Sequence, residues 1–191
     1  MAILEIKTYP ESILKQVAKP VSKIVPEHVI LANDMLETMY AAPGIGLAAP
    51  QVGHSIRLVV IDTRYRDESG KVDLSGMSDM EKKITFPLKL FNPVILNKDG
   101  KTTFEEGCLS VPGFLETVQR AEYVEFEALT PDGKIMIKTD GLLAVCIQHE
   151  IDHLDGKLFI DRLSTVKRNL IKSKIKKYGY LSQENQKQHI L

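Results

Sequence analysis

The apolar positions of this 191-residue chain change period several times along its length, and each change marks an element. After Pro26, the stretch "EHVILANDMLETMYAA" spaces Val29, Ala32, Leu36 and Met39 three to four residues apart. That is one face of a helix entered at a proline, where the missing N–H has no partner to lose. "PGIGLAAPQVG", residues 43–53, breaks the period with three glycines and two prolines and reads as a loop. "RLVVID", residues 57–62, is a short continuous apolar run and reads as a buried strand. Residues 63–83 are polar, with Gly70 and Gly76, and so long a stretch without a periodic element suggests a mobile surface insertion.

A strand-rich middle follows. "FNPVIL" runs into "NKDGK", where Asp99-Gly100 is a hairpin signal, and "TTFEEGCLSVPG" comes next. "YVEFEAL" alternates, turns at "TPDGK" and returns as "IMIKT", a second hairpin. Asp140 and Gly141 then open a helix through "LLAVCIQHEIDHLDG" that Gly156 closes. A last helical pattern lies within residues 164–180, with Val166, Leu170, Ile175 and Tyr178 as its apolar positions, and residues 181–191 form a polar tail. The expected architecture is one α+β domain over residues 1–191. Its antiparallel strands pack around the helix of residues 141–155, with one helix before them and one after.

Composition narrows the class only a little. Apolar residues make up 43% and charged residues 26%, which suits a globular chain with a sizeable core. Lys+Arg and Asp+Glu are both 25, so net charge points to neither DNA nor a membrane surface as a partner. The opening "MAILEIKTYPESIL" lacks the features of a signal or transit peptide, and no stretch nears the roughly 20 apolar residues that span a bilayer. Cys108 and Cys146 are expected as free thiols in a reducing cytoplasm.

The chemistry is concentrated in "QHEIDHLDG", residues 148–156. His149 and His153 stand four apart, so a helix puts both imidazoles on one face, able to close on one metal ion. Glu150 beside them can handle a water. Two ligands leave a catalytic metal one short. The extended motif of one metalloprotease class calls for a third histidine where this chain has Phe159, which cannot ligate. Glu184 sits in the polar tail, and Asp161 is not excluded by spacing. The favoured donor is Cys108, in the glycine-flanked "EEGCLSVPG", with Cys146 as the rival thiol in more apolar surroundings. A thiolate with two imidazoles suits zinc or ferrous iron.

Three segments in order, "GIGLAAPQ" (44–51), "EGCLS" (106–110) and "HEIDH" (149–153), resemble the signature motifs of the peptide deformylases. The resemblance implies a metallohydrolase that removes the formyl group from N-formylmethionyl nascent peptides in a bacterial cytoplasm. It implies Cys108, His149 and His153 as metal ligands and Glu150 as the group that moves protons. Fe(II) is the implied metal in the cell, with Zn, Ni or Co in isolated protein. The Gln51 amide and the Leu109 N–H are the implied oxyanion donors. Ile45, Leu142, Val145, Cys146 and His149 are implied around a methionine pocket, and the backbone of Gly44, Ile45, Gly46 and Gly107 along the peptide. It further implies ribosome contact through the basic C-terminal helix, where Lys167, Arg168, Lys172, Lys174, Lys176 and Lys177 fall. Glu106 and Arg120 are expected either to pair behind the Cys108 loop or to form an exposed ion pair of little worth.

Overall fold

A computed structural model describes residues 2–66 and 70–180. In chain order these residues form α1 (Pro26–Ala41), β1 (Gly46–Ala48), β2 (Leu58–Ile61), β3 (Tyr65–Arg66), β4 (Val72–Asp73), β5 (Leu88–Asp99), β6 (Thr102–Glu106), β7 (Glu116–Arg120), β8 (Tyr123–Thr130), β9 (Gly133–Thr139), α2 (Gly141–Leu154) and α3 (Thr165–Tyr178). Strands β1, β2, β5, β8 and β9 lie in that order in one antiparallel sheet, while β3–β4 and β6–β7 are separate ribbons.

The unbroken apolar run in β2 has a direct cause. Successive strand side chains point to opposite faces, and both faces of β2 are covered. Leu58 and Val60 join Met35, Leu36 and Met39 of α1, whereas Val59 and Ile61 join Leu143, Ala144 and Ile147 of α2. All four β2 residues are buried, each such side chain contributing about 1.5–3 kcal/mol. The two helices thus clamp the sheet, and α2 sits against β1 at the sheet's edge. A third, smaller core joins Leu14, Phe159 and Ile160 to Ile171 and Ile175 of α3.

Five sequence expectations need correction. Residues 43–53 are not all loop, since they contain β1 and a 3-10 turn at Ala49–Val52. Asp99-Gly100 turns the chain but does not make a hairpin: β5 pairs with β2 and β8, and β6 pairs with β7 instead. In α3 only Ile175 of the expected apolar positions is buried. Ile171 takes the inward place beside it, and Val166, Leu170 and Tyr178 are exposed. Asp140 precedes α2 but does not cap it with its side chain. Leu143 N–H is instead accepted by the carboxylate of Glu81, at 2.8 Å. Residues 63–83 were expected to lack structure, yet they contain β3, β4 and a 3-10 turn at Glu81–Lys83, with Met77 and Glu81 buried. Residues 67–69 of that insertion and the tail 181–191, with Glu184, lie outside the described residues.

Candidate metal centre

Helix α2 is the platform. Its helical register brings His149 and His153 one turn apart, with Nε2 of each 3.2 Å from Nε2 of the other. Cys108 arrives from the turn after β6, and its Sγ lies 3.2 Å from His153 Nε2. Among the described residues these three form a cluster whose donor atoms all fall within 4.8 Å of one another. Two imidazole nitrogens each 2.0–2.1 Å from a tetrahedral ion stand about 3.3 Å apart, so the spacing and the S/N/N donor set fit a divalent metal. The other candidate ligands are elsewhere. Asp161 pairs with Lys15, and Cys146 Sγ faces the Ile45 carbonyl at 3.8 Å. Phe159 stacks on the His149 ring, with centroids 6.4 Å apart, so it buttresses a histidine of the cluster.

A buried ion network fixes His149 from behind, whereas His153 Nδ1 is buried without a hydrogen-bond partner. Glu106 Oε2 lies 2.9 Å from His149 Nδ1, leaving Nε2 turned toward the cluster. Arg120 donates to both Glu106 oxygens, at 2.6 and 2.8 Å, and reaches Asp152 at 2.6 Å. Arg120 is only 3% exposed, so the exposed-pair alternative does not hold. Burial alone would raise the Glu106 pKa, but the Arg120 and His149 hydrogen bonds outweigh it and hold it down at about 2. His153 is kept neutral mainly by burial, then by the neighbouring His149. Burial works the same way on His149, but the Cys108 sulfur and Glu106 overcome it and favour positive charge there. These donors, beside buried carboxylates, could hold a cation.

Glu150 points into the same space. It is 4% exposed, its Oε2 has no hydrogen-bond partner, and burial raises its pKa to about 7. Room for it comes from Gly46, where an added Cβ would collide with Glu150 Oε1 and stand 2.8 Å from Cys146 Sγ. Gln51 is held at both ends. Its Oε1 accepts the Ala48 N–H at 2.8 Å, which fixes the amide orientation, so Nε2 points to Ser110 Oγ at 3.2 Å and Cys108 Sγ at 3.6 Å.

The cluster opens into a cleft of about 670 Å³, within the size range of ligand sites. Gly44, Ile45, Gly46 and Gln51 line one side, Gly107, Cys108 and Leu109 another, and Leu142, Val145, Cys146, His149 and Glu150 the floor on α2. Every catalytic, ligand and pocket residue that the deformylase resemblance implies lines this cleft except His153, which lies behind it in the cluster. Phe104, Phe114 and Leu115 also line it and escaped the sequence reading. Their only signal was apolar residues flanking the cysteine turn. Leu115, 65% exposed, lies across Gly107, its Cδ2 2.8 Å from where a Cβ there would be.

Comparison with known proteins decides the family. A family model for polypeptide deformylase matches residues 3–169. The chain belongs to the polypeptide deformylase family. Its relatives include the peptide deformylase of Alkalilimnicola ehrlichii, 49% identical over 178 residues that cover 93% of this chain and 91% of that protein. A peptide deformylase of Neisseria meningitidis is also 49% identical, covering 93% and 96%. Among solved structures, the Legionella pneumophila peptide deformylase has a TM-score of 0.77 at 44% identity, covering 93% and 95%. The Ehrlichia chaffeensis enzyme in complex with actinonin has a TM-score of 0.81 at 35% identity, covering 95% and 100%. Deformylases are metal-dependent hydrolases that remove the N-formyl group from nascent polypeptides, and the Cys108, His149 and His153 cluster is a site that could hold such a metal.

Proposed function

We propose that this deformylase acts on N-formylmethionyl ends in a bacterial cytoplasm, with Cys108, His149 and His153 holding one Fe(II) ion. The observation that carries the reading is the convergence of those three donors beside a buried carboxylate, Glu150, whose second oxygen lacks a partner. When bound, the metal supplies Lewis acidity, which polarises a carbonyl and acidifies water. Glu150 accepts the proton of the attacking water and returns it to the departing amine nitrogen, so the C–N bond breaks to formate and a free amino terminus. The Gln51 Nε2 and Leu109 N–H donate to the oxyanion that develops on the formyl oxygen. A neutral amide suits that task, since it stabilises the oxyanion without introducing a competing ion. Leu142, Val145, Cys146 and Ile45 receive the methionine side chain. The backbone of Gly44, Ile45, Gly46 and Gly107 pairs with the peptide as an added strand, which the position of β1 at the sheet edge favours.

The ribosome is the proposed transient partner. Lys174, Lys176 and Lys177 stand exposed on α3 near Tyr178, whereas Lys167 and Lys172 are engaged by Glu116 and Asp161. Reversing those three exposed charges should weaken ribosome binding and flatten its salt dependence. Unchanged binding removes this partner surface. The catalytic reading is tested by anaerobic formate release from a short formylmethionyl peptide with Fe(II)-loaded protein. Wild type should turn over, while Glu150→Gln should keep its metal and release none. Turnover by Glu150→Gln would defeat the assignment of the proton carrier.

A further inference from the structure

The segment between β4 and β5 holds a buried acid that the chemistry above does not use. Glu81 is 1% exposed, and both of its oxygens are engaged. Oε2 accepts the Ser78 N–H at 2.9 Å, and Ser78 Oγ accepts the Glu81 N–H at 3.1 Å. That is the reciprocal capping box expected of Ser78-Asp79-Met80-Glu81 at the head of a helical turn. Here the box caps a second helix as well. Glu81 Oε1 accepts the Leu143 N–H at 2.8 Å, and Ser78 Oγ donates to Asp140, the residue before α2. Gly141, at φ +62°, allows the approach: a Cβ there would stand 2.6 Å from Glu81 Oε2. The first turn of α2 is therefore anchored to a segment remote in sequence.

What that turn carries gives the anchor a meaning. Leu142 and Val145, in the first turns of α2, form part of the cleft floor. The ligand His149 lies seven residues beyond Leu142, about 10 Å along the helix axis. His149 has its own support in Glu106 and Phe159. A loosened first turn thus moves the pocket wall and leaves the metal ligands held.

We propose that Glu81 is a positioning residue for substrate choice, holding the first turn of α2 so that Leu142 and Val145 stand where a methionine side chain would pack. The inference rests on the proposed use of this cleft for formylmethionyl ends. The test compares kcat/KM for formyl-Met and formyl-Ala peptides in the Fe(II)-loaded full chain, for wild type, Glu81→Ala and Glu81→Gln. In Glu81→Ala the Met-to-Ala ratio should fall about tenfold, through a raised KM for the formyl-Met peptide, with metal per chain unchanged. Glu81→Gln retains an oxygen able to accept the Leu143 N–H and should restore most of the ratio. An equal fall in kcat for both peptides, or an unchanged ratio, overturns the proposal. If Glu81→Ala fails to fold, the same ratio in Ser78→Ala decides. Failure of the wild type to release formate from either peptide would instead sink the underlying reading of the cleft.

Discussion

Glu106 Oε2 stands 2.9 Å from His149 Nδ1, and Arg120 grips the same carboxylate through two of its nitrogens. The carboxylate thereby joins a proposed metal ligand to a buried cation. Replacing Glu106 by Gln removes the charge that orients His149 and leaves Arg120 with Asp152 alone on the inner side. Metal affinity should fall about 10- to 100-fold. Competition with a metal-sensitive chelator measures this directly, and an unaltered affinity would show that the link is not used.

The two cysteines should separate cleanly. Cys108→Ala should abolish stoichiometric metal binding. Cys146→Ala should keep the metal and weaken handling of the peptide, because Cys146 lines the cleft outside the ligand cluster. Metal analysis of both purified variants decides. Loss of metal from Cys146→Ala alone would reverse the assignment.

Gly46→Ala puts a methyl group into the space of Glu150 Oε1 and within 2.8 Å of Cys146 Sγ. Either β1 or Glu150 must shift, and misplacement on that scale costs about 100-fold in turnover. The expected result is a fall in kcat with metal content retained. A variant with wild-type kcat would mean that Glu150 has slack this geometry denies it.

Gly156, at φ +69°, closes α2, and a Cβ there would stand 2.6 Å from the Lys15 carbonyl oxygen. Gly156→Ala therefore combines a left-handed backbone with a backbone clash and should cost about 1–3 kcal/mol of stability. Chemical denaturation reads the loss. Turnover per bound metal should fall far less than stability, since His149 keeps its separate hold on Glu106 and Phe159.

Asp161 supplies a pH dependence away from the metal. Burial tends to raise its pKa, but Lys15 and the Leu158 N–H together draw it below the ordinary 3.8. Its stabilising contribution is complete above that ordinary value and is lost as pH falls through the lower folded one. Asp161→Asn should flatten the acid limb of stability against pH relative to wild type. Parallel limbs in urea titrations from pH 6 to 3 would count against the pairing.

Much of the fold was legible because single residues spoke locally. Pro26 started α1, the period of Ala32, Leu36 and Met39 gave its inward face, and the alternation through "YVEFEAL" and "IMIKT" gave the β8–β9 hairpin. The site was legible for a similar reason, since the spacing of His149 and His153 is a helical repeat. Contacts remote in sequence could not be read this way. Glu81 and Leu143 are 62 positions apart, and the local Ser78–Glu81 box does not tell that it also caps a distant helix. The Asp99-Gly100 turn misled because a turn's chemistry says that the chain bends, not which strand will pair with it. In α3 the period allowed more than one inward face, and the position of Phe159 and Ile160 beneath it selected Ile171 and Ile175.

The edge strand β1 has a consequence for the molecule in a crowded solution. An unpaired sheet edge is a template on which other chains can stack into aggregates. Here the edge is three residues long, stopped by the Ala49–Val52 turn and set within a cleft walled by the residues after β6. At β1 the sheet can thus admit an extended chain end while giving a second sheet almost nothing to grip.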